Sequence, residues 1–124
     1  LPYHKRMVER IQKGGGFARL HICGDTNRLI PYTLSTGTHI LDVDSAVNMA
    51  EAATQLDTHQ VLCGNLDPAA DLLGGRPEDF REKVRRVYEN TGNRTILAAG
   101  CDVPPGTPEE NVLAFRQACA DLIG

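Results

Sequence analysis

The chain has 124 residues, of which 41% are hydrophobic and 23% are charged, a composition typical of one globular domain over residues 1–124 and not of a disordered chain or a coiled coil. Thirteen Lys and Arg residues against sixteen Asp and Glu give a formal net charge of −3 with no basic run, which argues against nucleic acid as a partner. No apolar stretch approaches the roughly 20 residues of a membrane-spanning helix, and the first residues lack the apolar region of a signal peptide, so the sequence predicts a cytoplasmic protein without a membrane partner.

The first predicted element is a helix over residues 3–13, which no strand precedes. The glycine run 14–16 stops this helix. Because the run comes before a strand, it does not join a strand to a helix as a dinucleotide-binding loop does. Leu1 is not an initiator methionine, and the chain opens inside a predicted helix. We therefore expect the chain to be a fragment or a trimmed product.

Four units follow, each with a short apolar run, a turn and a segment with helical spacing. The predicted strands are 17–23, 39–43, 60–66 and 95–99, and the predicted helices are near 27–36, 46–56, 78–91 and 108–123. Short continuous apolar runs are typical of parallel strands buried on both faces. The alternation predicts an α/β fold, either a small doubly wound sheet or half of a (β/α)8 barrel.

The last two helices carry the clearest signals. The helix 78–91 is predicted to bury Phe80, Val84 and Val87 and to end before Gly92. In the last helix, Thr107 is predicted to be the N-cap, with Pro108 at the first helical position. An apolar stripe is predicted to lie against the sheet, formed by Val112, Phe115, Cys119 and Leu122.

The end of the first strand offers two metal-binding side chains. Because residues i and i+2 share one face of a strand, His21 and Cys23 point the same way, and Gly24 lets the chain turn after them. A divalent metal such as zinc binds imidazole and thiolate together. A buried histidine beside a buried cysteine is the structural alternative.

A third ligand is expected at the same rim of the sheet, where the ends of parallel strands meet. Cys101 follows the fourth strand and completes a Cys2His set, the number of protein ligands typical of a catalytic zinc site. Cys63 is a rival, because it precedes a glycine near its strand end as Cys23 does. Strand spacing alone favours Cys101 and leaves both open.

Polar side chains follow the second and third strands at this rim. Asp42 and Asp44 place two carboxylates on one face, where they could orient a metal-bound histidine or handle a proton. Asn65 and Asp67 are candidate substrate-binding residues. The alternatives are turn formation by Asn65 and Asp67 and helix capping by Asp44.

Four segments carry a family resemblance: His21-Ile-Cys-Gly-Asp25, Ile40-Leu-Asp-Val-Asp44, Cys63-Gly-Asn-Leu-Asp-Pro68 and Gly100-Cys-Asp-Val-Pro-Pro-Gly-Thr-Pro-Glu-Glu-Asn111. In order and spacing they resemble the C-terminal half of the uroporphyrinogen decarboxylase superfamily, over nearly the whole chain. The resemblance implies a (β/α)8 TIM barrel, of which this chain holds the last four units.

The site residues resemble one branch of that superfamily. True porphyrinogen decarboxylases carry a Gly-His-Gly segment where this chain has Cys101, and they lack the His21 and Cys23 pair. The chain is thus similar to the zinc-dependent corrinoid:coenzyme M methyltransferases. The resemblance implies that His21, Cys23 and Cys101 bind Zn²⁺ and that Cys63 does not. It also implies an acceptor thiol that zinc holds as thiolate and a partner corrinoid protein whose methylcorrinoid donates the methyl group.

The chain departs from that superfamily in lacking the N-terminal half of the barrel. Half a barrel exposes two sheet edges, so we expect self-association or the missing half in a longer protein. Two other functions remain as alternatives: decarboxylation of a tetrapyrrole, and a non-catalytic module that binds zinc or a corrinoid partner.

Overall fold

The computed structural model describes residues 1–124, apart from the side chain of Ile123. The helices are α1 (Pro2–Lys13), α2 (Ile30–Leu34), α3 (Met49–Ala53), α4 (Phe80–Asn90) and α5 (Glu109–Ile123). The strands are β1 (Arg19–Ile22), β2 (Ile40–Val43), β3 (Val61–Leu66) and β4 (Thr95–Ala99). Short 3₁₀ turns, Asn27–Leu29 and Pro77–Asp79, lead into α2 and α4, and a π-helical turn, Pro68–Leu73, follows β3.

The four strands form one parallel sheet in the order β1-β2-β3-β4. A doubly wound sheet reverses its winding direction, so its strands do not run in plain chain order. Strand order that follows the chain, with a helix between successive strands, is the arrangement of a (β/α)8 barrel. The predicted α/β class is confirmed, and the order selects half a TIM barrel over the doubly wound alternative.

The two faces of the sheet have different surroundings. On one face, Leu41, Val43 and Leu62 join a buried apolar core with residues of α2 to α5. On the other face, the strand register aligns His21, Asp42, Cys63 and Ile96 in one row across the sheet. This second face, which we call the inner face, would line the interior of a closed barrel. Ile96 is 45% exposed there.

The predicted helix faces are mostly confirmed. Phe80, Val84 and Val87 are buried, α4 ends at Asn90, and Gly92 has a positive φ of 59° just beyond the helix. In the last helix, three residues of the predicted apolar stripe pack against the core: Phe115, Cys119 and Leu122.

The predicted start of α5 is wrong. The helix begins at Glu109 after Pro108, whose ψ of 132° is extended, and no side chain caps it. The Thr107 hydroxyl instead donates to the Pro104 carbonyl at 2.8 Å, which closes a turn before the helix. Val112 is 43% exposed and does not belong to the buried stripe.

The start of α5 is attached to the rest of the chain through Asn111. This side chain is 1% exposed and donates to the carbonyl oxygens of Leu72 and Gly75, both at 2.9 Å. These bonds connect α5 to the π-helical turn and to the residues just after it. The apolar pattern of the sequence did not predict this turn. Within the described residues, no helix is both long and apolar enough to cross a membrane.

Candidate metal centre

Three side chains predicted as metal ligands meet at the carboxyl end of the sheet. His21 lies in β1, Cys23 directly follows β1, and Cys101 is the second residue after β4. His21 Nε2 lies 3.1 Å from Cys23 Sγ, and Cys23 Sγ lies 3.3 Å from Cys101 Sγ. The three ligand atoms all lie within 4.8 Å of one another. The structure thus brings Cys23 next to Cys101, which lies 78 positions further along the sequence.

The separations can be compared with those of a tetrahedral zinc site. Zinc bonds to sulfur at about 2.3 Å and to nitrogen at about 2.0 Å, which places ligand atoms about 3.5–3.8 Å apart. The observed separations are a few tenths of an ångström shorter than that. One nitrogen and two sulfur donors also match the catalytic class of zinc site, in which the fourth position stays open. The donor set and its geometry therefore fit zinc.

A glycine brings Cys101 to the site. The amide of Gly100 donates to the Leu66 carbonyl at 2.8 Å, which extends the pairing of β3 and β4 by one bond. A Cβ atom at residue 100 would lie only 2.5 Å from the backbone nitrogen of Ser45. The loop that carries Cys101 can pack against the end of β2 because residue 100 has no side chain.

The turn after Cys23 is held by Asp44. Gly24 has a φ of 83°, and its amide donates to Asp44 Oδ2 at 2.7 Å. The other carboxylate oxygen accepts from the amide and hydroxyl of Ser45 at 2.6 and 3.1 Å. The Gly24 amide, and then the Ser45 bonds, hold the pKa of Asp44 below its usual value. Asp44 does not cap the next helix. The N-cap of α3 is Asn48, whose side chain accepts from the Glu51 amide at 3.2 Å.

The imidazole of His21 lies between the two thiols and Asp42. Its Nε2 faces Cys23, while its Nδ1 lies 3.3 Å from the Asp42 carbonyl oxygen and 3.4 Å from Asp42 Oδ2. A histidine that binds a metal through one nitrogen commonly donates the proton on the other to a carbonyl or carboxylate. Asp42 is thus the carboxylate nearest to this ring, and Asp44 holds the turn.

Asp42 is itself held by Arg19. Its Oδ2 accepts from Arg19 Nε at 2.9 Å and from Nη2 at 2.6 Å, and this pair raises the pKa of Arg19. The Asp42 side chain is 8% exposed, and its Oδ1 has no hydrogen-bond partner among the described residues. Arg19 was not identified in the sequence, although it lies two residues before His21 and therefore shares its face.

The surroundings of Cys23 favour its protonated thiol. The hydrogen bond with Cys101 raises the pKa of Cys23, and lost hydration and nearby negative charges act in the same direction. A bound divalent cation would oppose this effect by stabilising both thiolates. The thiols and the nearby Asp44 and Asp102 carboxylates make this an environment that favours a cation.

Cys63 lies outside the group. It is 1% exposed on the inner face of β3, and burial, followed by the charge of Asp42, raises its pKa to about 11. β3 continues for three residues beyond Cys63, whereas Cys101 lies past the end of β4. The structure therefore separates the two cysteines that the sequence left as rivals.

The two predicted substrate-binding residues make hydrogen bonds within the chain. Asn65 Nδ2 donates to the Val47 carbonyl at 2.8 Å and to the Asp44 carbonyl at 3.3 Å. Asp67 Oδ1 accepts from the amides of Ala69 and Ala70, both at 2.9 Å, and so caps the π-helical turn. Both residues support loops at the rim, as in the turn-forming alternative, and their contact with a substrate stays a prediction.

Comparison with known proteins gives one family. The family described as "Uroporphyrinogen decarboxylase (URO-D)" matches residues 1–122. The chain is 32% identical over 112 residues to "Methylcobamide:CoM methyltransferase MtbA" of Methanosarcina mazei, covering 90% of this chain and 32% of the relative. It is 37% identical over 120 residues to "Uroporphyrinogen decarboxylase" of Synechococcus sp., covering 94% of this chain and 33% of the relative.

A solved structure shares the fold. This structure, "methyltransferase from Methanosarcina mazei", superimposes with a TM-score of 0.84 at 24% identity, over 98% of this chain and 36% of the other. The chain therefore spans about a third of the length of the proteins it matches.

Proposed function

Because this chain belongs to the uroporphyrinogen decarboxylase (URO-D) family, we propose that it forms the zinc-binding part of a methyltransferase. Its acceptor would be a small thiol of the coenzyme M type, and its methyl donor a methylated corrinoid protein. The observation that carries this proposal is the convergence of His21, Cys23 and Cys101 at one point.

Overall identity does not choose between the two activities of the relatives. The methyltransferase is 32% identical and the decarboxylase 37% identical, over similar lengths. The site chemistry favours the methyltransferase, because two thiolates and an imidazole form a zinc site. Decarboxylation of a tetrapyrrole makes no use of such a set.

Each residue of the site has a role in the proposed reaction. Zinc bound there would lower the pKa of the acceptor thiol and keep it as thiolate, the nucleophilic form. Cys23 and Cys101 would each give up a proton on metal binding. His21 would bind through Nε2, with Asp42 orienting the ring from the Nδ1 side. The acceptor sulfur would take the methyl group, and the electron pair of the broken cobalt–carbon bond would stay on the corrinoid.

Three further residues keep their predicted roles within this proposal. Asp44 is the predicted catalytic carboxylate, and Asn65 and Asp67 are the predicted substrate-binding residues. All three lie at the carboxyl ends of β2 and β3, the end of a TIM barrel that carries active sites.

The remaining barrel would complete the site. The inner face exposes part of Arg19 and Ile96, which further strands cover in a closed barrel. We propose that this cover comes from the rest of a longer protein or from a second copy of the chain.

The test is zinc-dependent proton release on thiol binding. The reconstituted protein should hold about one zinc per chain and release about one proton per coenzyme M bound, measured by titration calorimetry in two buffers. Cys101→Ser and His21→Ala should lose both signals. The matched control, Cys63→Ser, should keep both.

Two results would overturn the proposal. Zinc retained in Cys101→Ser but lost in Cys63→Ser would reassign the ligands. Turnover of uroporphyrinogen without zinc, with no proton release on thiol addition, would favour the decarboxylase activity.

A further inference from the structure

We propose that Cys23 and Cys101 form a peroxide-sensitive dithiol, which closes to a disulfide in the metal-free protein. The carrying observation is the 3.3 Å separation of the two sulfur atoms. This inference goes beyond the proposed function, because the disulfide forms without metal, thiol substrate or corrinoid. The disulfide would join the ends of β1 and β4 across 78 positions of sequence.

The surroundings of the four cysteines select this pair. Cys23 is exposed and Cys101 is half-buried, so an oxidant in solution reaches both. Cys63 is 1% exposed, and Cys119 packs against the apolar core from α5. Among the described residues, no other two sulfur atoms lie within hydrogen-bonding distance.

The backbone around the pair allows the bond to form. A disulfide bond is about 2.05 Å long, so the sulfur atoms must approach by about 1.3 Å. Cys23 lies past the end of β1, and Cys101 lies in a bend past the end of β4. Neither cysteine is itself paired in the sheet, so the strand ladder does not hold either side chain in place.

Hydrogen peroxide would be the oxidant. One thiolate attacks a peroxide oxygen and becomes a sulfenic acid, while the O–O bond breaks and one water leaves. The second thiol then attacks the sulfenic sulfur and displaces a second water. In total, two S–H bonds break, one S–S bond forms, and one peroxide is reduced by two electrons to two waters.

The disulfide and zinc would exclude each other, and this part of the inference rests on the proposed function. The disulfide consumes both sulfur ligands and leaves His21 alone. Bound zinc, in turn, would hold both sulfur atoms as ligands and protect them from oxidation. Zinc loading should therefore slow disulfide formation by at least about tenfold when zinc is in large excess over its dissociation constant.

The test is peptide mapping of the metal-free chain after treatment with hydrogen peroxide. Cleavage after Lys and Arg, except before Pro77, leaves each cysteine on its own peptide: 20–28, 29–81, 95–116 and 117–124. We expect peptides 20–28 and 95–116 to be linked, and the link to disappear with dithiothreitol. The intact chain should lose about 2 Da, the mass of two hydrogen atoms.

Matched variants and a zinc-loaded sample complete the design. Cys63→Ser and Cys119→Ser should form the link, and Cys23→Ser should not. Overoxidation of Cys23 without a link, or a link to Cys63 or Cys119, would overturn the inference. A link that forms at the same rate with zinc present, in a chain that binds none, would support the dithiol and count against the proposed function. Zinc binding without any link in the metal-free chain would do the reverse.

Discussion

At the scale of single residues, the candidate centre depends on a side chain that binds no metal itself. Asp42 lies 3.4 Å from His21 Nδ1 and is held by two hydrogen bonds from Arg19. We infer that it is a positioning residue, which fixes the ring so that Nε2 faces the sulfur atoms. The Asp42 carbonyl, at 3.3 Å from Nδ1, shares this task.

Replacing the Asp42 carboxylate should weaken zinc binding without removing it. We expect Asp42→Asn to lower zinc affinity by about tenfold, the lower end for an outer-shell partner, because the backbone carbonyl remains. Competition with a chelating dye measures the affinity. NMR of the His21 ring nitrogens in the zinc-loaded chain should show a weaker Nδ1 hydrogen bond. Asp121→Asn, which alters an exposed pair with Arg81, is the control. Equal affinity with unchanged nitrogen shifts would remove the positioning role.

Cys63 should make the stability of the chain depend on alkaline pH. Burial raises its pKa from 9.0 to about 11, so the unfolded chain loses this proton at lower pH than the folded chain does. Stability is therefore lost as pH rises from about 9 to about 11. Between pH 8 and pH 10.5 the chain should lose about 2 kcal/mol through this group.

The contribution of Cys63 can be isolated by subtraction. Urea unfolding of the metal-free chain and of Cys63→Ala at both pH values gives the difference, in which other titrating groups cancel. We expect the loss in the unmodified chain to exceed that in Cys63→Ala by about 2 kcal/mol. Equal losses in the two proteins would mean that Cys63 titrates normally.

At the scale of elements, the local pattern predicted the strands and left the connections between them undetermined. The strand predicted at 95–99 is observed with the same bounds, and the other three lie within the predicted runs. Each strand is a short apolar run with turn-forming residues on either side, and this local pattern is enough to locate it. Helix starts were less predictable, because the extended Pro108 delays α5 and only the folded chain shows this.

The metal ligands, too, could be predicted only in part from local sequence. Cys63 and Cys101 both occur near strand ends, so local sequence treats them alike. They differ because β3 runs past Cys63, whereas β4 stops before Cys101. That difference depends on how far the pairing of β3 with β4 extends, which is set by contacts between strands. The family resemblance, and not the spacing, separated the two cysteines in advance.

The loop after β4 should tolerate no side chain at residue 100. A Cβ atom there would approach Ser45 N to 2.5 Å, so Gly100→Ala must displace the loop that carries Cys101. We expect zinc affinity to fall at least about tenfold and stability to fall by about 1–3 kcal/mol, the usual cost of overpacking. Zinc titration and urea unfolding measure the two effects.

The matched control is Gly14→Ala, far from the centre. Gly14 has a φ of −84°, and an added Cβ atom would meet its nearest neighbour at an ordinary 3.4 Å. This change should alter neither zinc affinity nor stability by more than about 0.5 kcal/mol. A Gly100→Ala protein that behaves like Gly14→Ala would show that the loop position does not set the site.

At the scale of the whole molecule, apolar surface remains on α1 as well as on the inner face. Tyr3, Met7 and Ile11 follow one another at helical spacing and are all exposed, Met7 by 63%. We expect the isolated chain to self-associate through these surfaces, because exposed contiguous apolar patches mark interaction sites.

Sedimentation velocity tests this expectation. The isolated chain should sediment above its monomer mass of 13.5 kDa at high concentration. Met7→Glu and Ile96→Asp should each shift it toward the monomer, and Lys5→Glu, a charged-to-charged change on α1, should not. A 13.5 kDa species at every concentration would contradict self-association and would favour the rest of a longer protein as the partner of these apolar surfaces.

The contact between Cys23 and Cys101 also bears on the curvature of the sheet. β1 and β4 are separated by three strand spacings, about 14 Å in a flat sheet. The two sulfur atoms at their ends are nevertheless 3.3 Å apart, so the sheet must arch and the loop after β4 must lean back across β2. A ligand that bridges the two sulfur atoms would therefore hold β1 and β4 in this curved arrangement. Flattening the sheet would pull the two atoms apart, and bridging them would stiffen the curvature that a complete barrel needs.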